Sequence, residues 1–91
     1  MIKVLKNKND EKHARVGAAV ALGMLKNRIA VDTLINTLKD KTEDAQLRIA
    51  AVTALGNIGE ERAMGPIKEA LKDPSDYVRN AAQSALNKMG K

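Results

Sequence analysis

The chain has 91 residues, 44% of them apolar, yet it contains one Tyr and no Phe or Trp. No cysteine is present, which excludes disulfides, thiolate nucleophiles and thiolate metal sites together. A net charge of +5 permits contact with nucleic acid or an acidic protein without requiring either.

This length predicts one domain, residues 1–91, near the lower end of single-core size. Its core must come from Ala, Leu, Val, Ile and Met. Such small side chains favour a layered stack of closely approaching helices over one deep centre. No apolar run reaches signal-peptide or membrane-spanning length, so the expectation is a cytoplasmic protein with no membrane partner.

Apolar spacing and cap residues predict six helices in chain order. The first spans 2–7. The second, 10–25, starts at Asp10. The third, 29–39, follows Asn27 and carries Val31, Leu34, Ile35 and Leu38 on one face. The fourth, 44–58, begins at Thr42 or Asp44 and stops at Gly59, where a left-handed residue is wanted. The fifth, 61–72, tolerates Pro66 near its start, where little or no hydrogen bond is lost. The sixth, 74–89, reads as Asp73 at the N-cap with Pro74 in the first helical position, and ends before Gly90.

These helices repeat. Residues 14–25, 47–58 and 78–89 align, with Arg15, Arg48 and Arg79 spaced 33 and 31 residues apart. Six residues after each arginine stands Ala21, Ala54 or Ala85, and seven after it Leu22, Leu55 or Leu86. Between them Leu5-Lys6-Asn7, Leu38-Lys39-Asp40 and Leu71-Lys72-Asp73 recur at 33 and 33. The prediction is all-α: a short α-solenoid of about three helix pairs, units about 1–25, 26–58 and 59–91, the first incomplete.

Val78-Arg79, Ala81-Ala82 and Ala85-Leu86, the stretch 59–67 (Gly-Glu-Glu-Arg-Ala-Met-Gly-Pro-Ile) and the run Ala70-Leu71-Lys72-Asp73-Pro74 resemble the HEAT-like repeats first described in phycobilin lyases. The likeness covers nearly the whole chain and fits best over 45–91. The first unit departs, with Gly17 for an alanine and Lys26-Asn27-Arg28-Ile29 where Gly59-Glu60-Glu61-Arg62 stands later. The resemblance implies an antiparallel helix-pair solenoid whose Arg-Ala-Ala helices line the concave side. It implies no single function.

On a helical wheel, Ala14, Ala18, Ala21, Leu22 and Leu25 and their counterparts form the buried stripe. The residues one, five and nine after each arginine share the opposite face: Val16, Val20 and Met24; Ile49, Thr53 and Asn57; Asn80, Ser84 and Lys88. His13, Gln46 and Tyr77 sit at its rim. This strip is the expected binding site for a protein partner, because three apolar residues in line do not suit a solvated face. The alternative covers for that patch are the leading helix or a second copy. A homodimer through the poorly capped N-terminal end follows from the incomplete first unit.

The remaining candidates favour structure over chemistry. His13 is the only histidine and has no carboxylate at a metal or triad spacing. HEAT-like enzymes that bind iron use paired His-Glu dipeptides, and this chain has none. Glu60–Glu61, Glu43–Asp44 and Asp73–Asp76 sit at helix starts, where they complement the helix dipole. Gly17, Gly23 and Gly56 lie inside helices and lack the spacing of a phosphate loop, so close helix packing explains them. Arg15, Arg48 and Arg79 are expected to pair with the aspartates ending the preceding helices, Asp40 and Asp73, as a ladder between repeats; Asn7 stands at the corresponding place for Arg15, so the pattern does not fix its partner.

The expected function is therefore a non-enzymatic interaction module or scaffold, with no catalytic residue, metal or cofactor. Nucleic-acid binding through Lys3, Lys6, Lys8, Lys12 and Lys41 is the weaker alternative, since no aromatic platform accompanies them. An accessory role beside an enzyme such as a chromophore lyase follows from the resemblance alone.

Overall fold

The computed structural model describes residues 1–8 and 11–90. It contains six α-helices and no strand among those residues: α1 (Ile2–Lys6), α2 (Lys12–Met24), α3 (Val31–Lys39), α4 (Ala45–Ile58), α5 (Met64–Ala70) and α6 (Asp76–Lys88). Short 3-10 turns at Arg28–Ala30 and Glu61–Ala63 lead into α3 and α5. The chain is an all-helical short repeat solenoid.

The helices form two layers. Helix α4 lies between α2 and α6, while α1, α3 and α5 back onto α2, α4 and α6 respectively. Leucines and β-branched residues fill the space between the layers: Leu5, Leu34, Leu38 and Ile67 from one side, Leu22, Leu47, Leu55 and Val78 from the other, all essentially inaccessible. Within the α2–α4–α6 layer, alanine and glycine set the spacing. A Cβ on Gly23 would stand 2.6 Å from the Ala54 Cα, and one on Gly56 would stand 2.8 Å from the Ala85 Cβ. The same contact thus occurs twice, one repeat apart. Gly17 differs, with nothing within 4 Å of an added Cβ. The packing explanation holds for Gly23 and Gly56 and fails for Gly17, which sits on the outer flank of the first unit.

Helix ends follow their cap chemistry with some shifts of register. Asp44 caps α4 through the Gln46 amide at 2.8 Å, and Asn27 accepts from the Ile29 amide at 3.0 Å. Gly59 closes α4 at φ 75°. The corresponding residue after α2 is Lys26, a side-chain-bearing residue at φ 53°. The last helix starts later than expected. Ser75, not Asp73, is the N-cap of α6, accepting from the Val78 amide, while the Asp73 carboxylate accepts from the Ser75 amide at 2.9 Å in the turn before the helix and from Arg48. Asp10, the expected start of α2, lies outside the described residues; α2 opens after Glu11. Pro66 falls in the first turn of α5, where the fold loses no hydrogen bond to it.

The first unit also breaks the buried stripe. Ala18 and Leu22 are buried, but Ala14 is exposed and Leu25 is 65% exposed, whereas its counterpart Ile58 is 7% exposed. The difference is one of neighbours: α4 has α2 on its flank, and nothing described here covers that flank of α2.

Candidate functional site

Every repeat places one arginine in the first turn of its inner helix, and in the structure these guanidinium groups clamp the units. Arg48 forks the Asp73 carboxylate, with Nε–Oδ2 at 3.1 Å and Nη2–Oδ1 at 2.9 Å. Its remaining nitrogen donates to the carbonyls of Lys41 and Glu43. Arg15 forks Glu43 at 3.0 and 2.8 Å and donates from Nε to the Leu5 carbonyl at 3.0 Å. Arg79 donates to the Asp73 carbonyl at 2.6 Å and pairs with Asp76. Each arginine thus gathers carbonyls of its own leading segment, and the first two also grip a carboxylate of the following unit.

This ladder runs in the direction opposite to the expected one. Arg48 takes Asp73 ahead of it, not Asp40 behind it, and Asp40 binds no arginine. A helical side chain leans toward the helix N-terminus. From there Arg48 meets neutral carbonyls of its own loop and, across the unit boundary, the next acidic loop. Arg15, whose partner the Asn7 position left open, pairs with Glu43.

Asp40 instead belongs to a lysine ladder that sequence reading missed. Lys8 Nζ stands 2.7 Å from Asp40, and Lys41 Nζ stands 3.3 Å from Asp73. Both lysines and both aspartates are 33 residues apart, a signal present in the repeat but submerged among sixteen basic residues. Hydrogen bonds from Lys8 and from the Thr42 hydroxyl and amide hold the Asp40 carboxyl well below the usual range. Burial acts to raise Asp73, yet the Arg48 fork, the Ser75 amide and Lys41 outweigh it and leave its carboxyl below the usual value.

The clamps hold α2, α4 and α6 side by side, and the opposite face of that layer displays the strip. Val20 is 45% exposed, Met24 74% and Tyr77 75%; His13, Gln46, Thr53, Asn80, Ser84 and Lys88 are also exposed. Val16, Ile49 and Asn57 are half-buried, and Val16 and Ile49 lean on the core. Lys88 Nζ donates to Asn57 Oδ1 at 2.5 Å, tying α6 to α4. Beside that bond, Thr53, Asn57, Ser84 and Lys88 line a groove of about 120 Å³. The strip continues past the helix ends into an open depression of about 570 Å³ between Met24, Lys26, Gly59, Lys88 and Met89. None of the twelve strip residues is acidic.

No group of His, Cys, Asp or Glu among the described residues is placed to hold a metal ion. His13 stands exposed in the first turn of α2, away from any such cluster. No described helix is long and apolar enough to cross a membrane.

Stacked helix pairs joined by polar clamps, with one helical layer left open to solvent, define an α-solenoid repeat protein. The family model described as HEAT repeats matches residues 1–87, and the chain belongs to that family. Such repeats generally serve as scaffolds for protein interaction, a use the fold class shares rather than a specific task. No curated protein matches the sequence.

Proposed function

We infer that the chain is a protein-binding scaffold whose contact surface is the strip across α2, α4 and α6. The observation that carries this reading is the pairing of exposed Val20 and Met24 in line on one helix, with Met24 opening onto the depression it shares with Lys26 and Lys88, in a strip lacking any acidic residue. Isolated exposed apolar residues need no explanation, but a row joined to a depression marks a contact surface. The matching partner presents an apolar ridge toward Val20 and Met24 and carboxylates toward Lys26 and Lys88. The uneven strip gives direction to such a partner, apolar at α2 and polar at α6.

Nucleic-acid binding has less support. Three of its five lysines, Lys8, Lys12 and Lys41, face carboxylates at 2.7, 3.6 and 3.3 Å, which offsets the charge available to phosphates. An accessory role beside a chromophore lyase rests on sequence resemblance, and the family match carries no lyase description.

The test is capture from a host lysate with identification of the bound protein, repeated with purified components. Val20→Asp/Met24→Asp is the appropriate variant, because both residues are exposed, whereas Ile49 leans on the core and its charge substitution also strains folding. Binding lost in this variant, retained helicity, and binding kept in an outer-layer Lys39→Glu control are expected. Equal capture by parent and variant overturns the reading.

A further inference from the structure

The turn after α2 holds a residue that the repeat does not require. Gly59 closes α4 in the left-handed region at φ 75°, and Lys26 occupies the same place after α2 at φ 53°. That region suits glycine and disfavours a residue with a Cβ. Helix C-termini favour nearby cations. This accounts for Lys88 in the last turn of α6, but not for Lys26, whose counterpart Gly59 serves without a charge. A residue held in a sparsely populated conformation points to a use for its side chain. Lys26 lines the open depression of about 570 Å³ together with Lys88, Met24 and Met89. Among the described residues neither lysine has a carboxylate partner. Lys88 donates to the neutral side-chain oxygen of Asn57, and Glu60, next to Gly59, is engaged by Arg28 at 3.2 Å and Arg62 at 3.9 Å. Exposed lysines of the outer layer, such as Lys39 and Lys68, stand in ordinary helical backbone.

We propose that this depression anchors the protein partner by taking an acidic segment in which carboxylates flank an apolar side chain, and that Lys26 is the residue that selects it. The inference rests on the strip reading above and names the chemistry that one end of the strip recognises. Two ammonium groups with no carboxylate of their own supply the charge for two acids. Met24, 74% exposed, and Met89, half-buried against the core, supply flexible thioether walls that adapt to an apolar side chain. Phosphate fits less well. The depression lies at the C-terminal ends of α2, α4 and α6, where helices present carbonyls and not the amides that cradle a phosphate. Lys26 is then a specificity-determining residue kept at a cost in stability. Glycine in its place relaxes the turn and discards one of the two charges that recognise the segment.

Amide chemical shifts of the isotope-labelled chain test the proposal during titration with a short capped peptide of leucine and glutamate, its leucine–lysine counterpart and inorganic phosphate. The leucine–glutamate peptide should move the amides of Gly23, Lys26 and Gly59, and the other two probes should not. Lys26→Gly should bind that peptide about three- to fivefold more weakly while unfolding at higher urea, a pairing that damage to the fold cannot produce. Lys88→Gln should weaken binding to a similar degree. Lys39→Gln/Lys68→Gln, which removes two charges from the outer layer, should stay within about twofold of the parent. Undiminished binding by Lys26→Gly, equal shifts with the leucine–lysine peptide or with phosphate, or no shift in the parent overturns the proposal. Its failure and that of the strip reading are distinguishable. Lysate capture lost in Val20→Asp/Met24→Asp but kept in Lys26→Gly/Lys88→Gln leaves the strip as the contact surface and sinks only the acidic anchor.

Discussion

At the scale of single residues, three helical glycines have different roles. Glycine inside a helix costs about 1 kcal/mol relative to alanine, so each requires a compensating contact or none at all. Gly23 and Gly56 have one, since the backbone of the neighbouring helix occupies the space of a side chain. Gly17 has open space there. Gly17→Ala should therefore stabilise the monomer by about 1 kcal/mol, raising the thermal midpoint by about 4–8 °C. Gly23→Ala and Gly56→Ala should lower stability by about 1–2 kcal/mol despite the gain in helix propensity, because helix separation has to increase. Urea unfolding of the three variants checks the sign at each site. The repeat pattern already set Gly17 apart, since Ala50 and Ala81 stand at its position, but a packing role was expected for all three; the atoms opposite each glycine decide it.

At the scale of elements, the helix ends carry the departures from the repeat. Lys26 stands where Gly59 stands one unit later, and both adopt the left-handed conformation that closes a helix C-terminus. For α2 this closure is visible as the Asn27 amide reaching the Leu22 carbonyl at 3.0 Å. A side chain in that region costs roughly 1–2 kcal/mol, partly offset because glycine loosens the unfolded chain. Lys26→Gly should thus stabilise by about 0.5–1 kcal/mol, measured as a higher urea midpoint with an unchanged slope. The residues Asn27 and Asp44 were legible as caps because short polar side chains before an apolar run have few other uses. Ser75 was not, since Asp73-Pro74 offered the stronger local signal. That aspartate instead holds the turn before the helix through the Ser75 amide and engages an arginine 25 positions away, and the helix starts at Ser75.

At the scale of the whole molecule, the units are joined by a thin apolar layer reinforced with buried charge. Asp73 is 1% exposed and Arg48 6%, so the fork between them is the interaction whose loss leaves an uncompensated buried ion. Asp73→Ala should destabilise the chain by about 3 kcal/mol or more by that mechanism. The same carboxylate makes stability pH-dependent. Its folded pKa lies below its unfolded value of 3.8, so its contribution is present above about pH 4 and is lost as pH falls through the folded pKa. Asp40, held low by Lys8 and Thr42, acts in the same direction. Circular dichroism against pH should show the helical signal of the parent collapsing on acidification, and Asp73→Ala should be weaker at neutral pH with a shallower acid dependence. A parent as stable at pH 2 as at pH 7 would contradict this account.

Periodicity determined the fold from sequence alone, because a 33-residue spacing of arginine, alanine and leucine leaves each helix pair with an apolar face that only a neighbouring pair can bury. It also placed Val16, Val20 and Met24 and their counterparts on one face of their helices, since positions one turn apart share a face whatever the tertiary arrangement. Which carboxylate each arginine grips, which glycines are filled by a neighbour, and that Leu25 and Ile29 lie open while Ile58 is buried and Arg62 is tied to Asp32 were decided only by the tertiary structure. Those properties depend on what lies across a unit boundary, and a repeat that reads the same along the chain does not have the same neighbours in space.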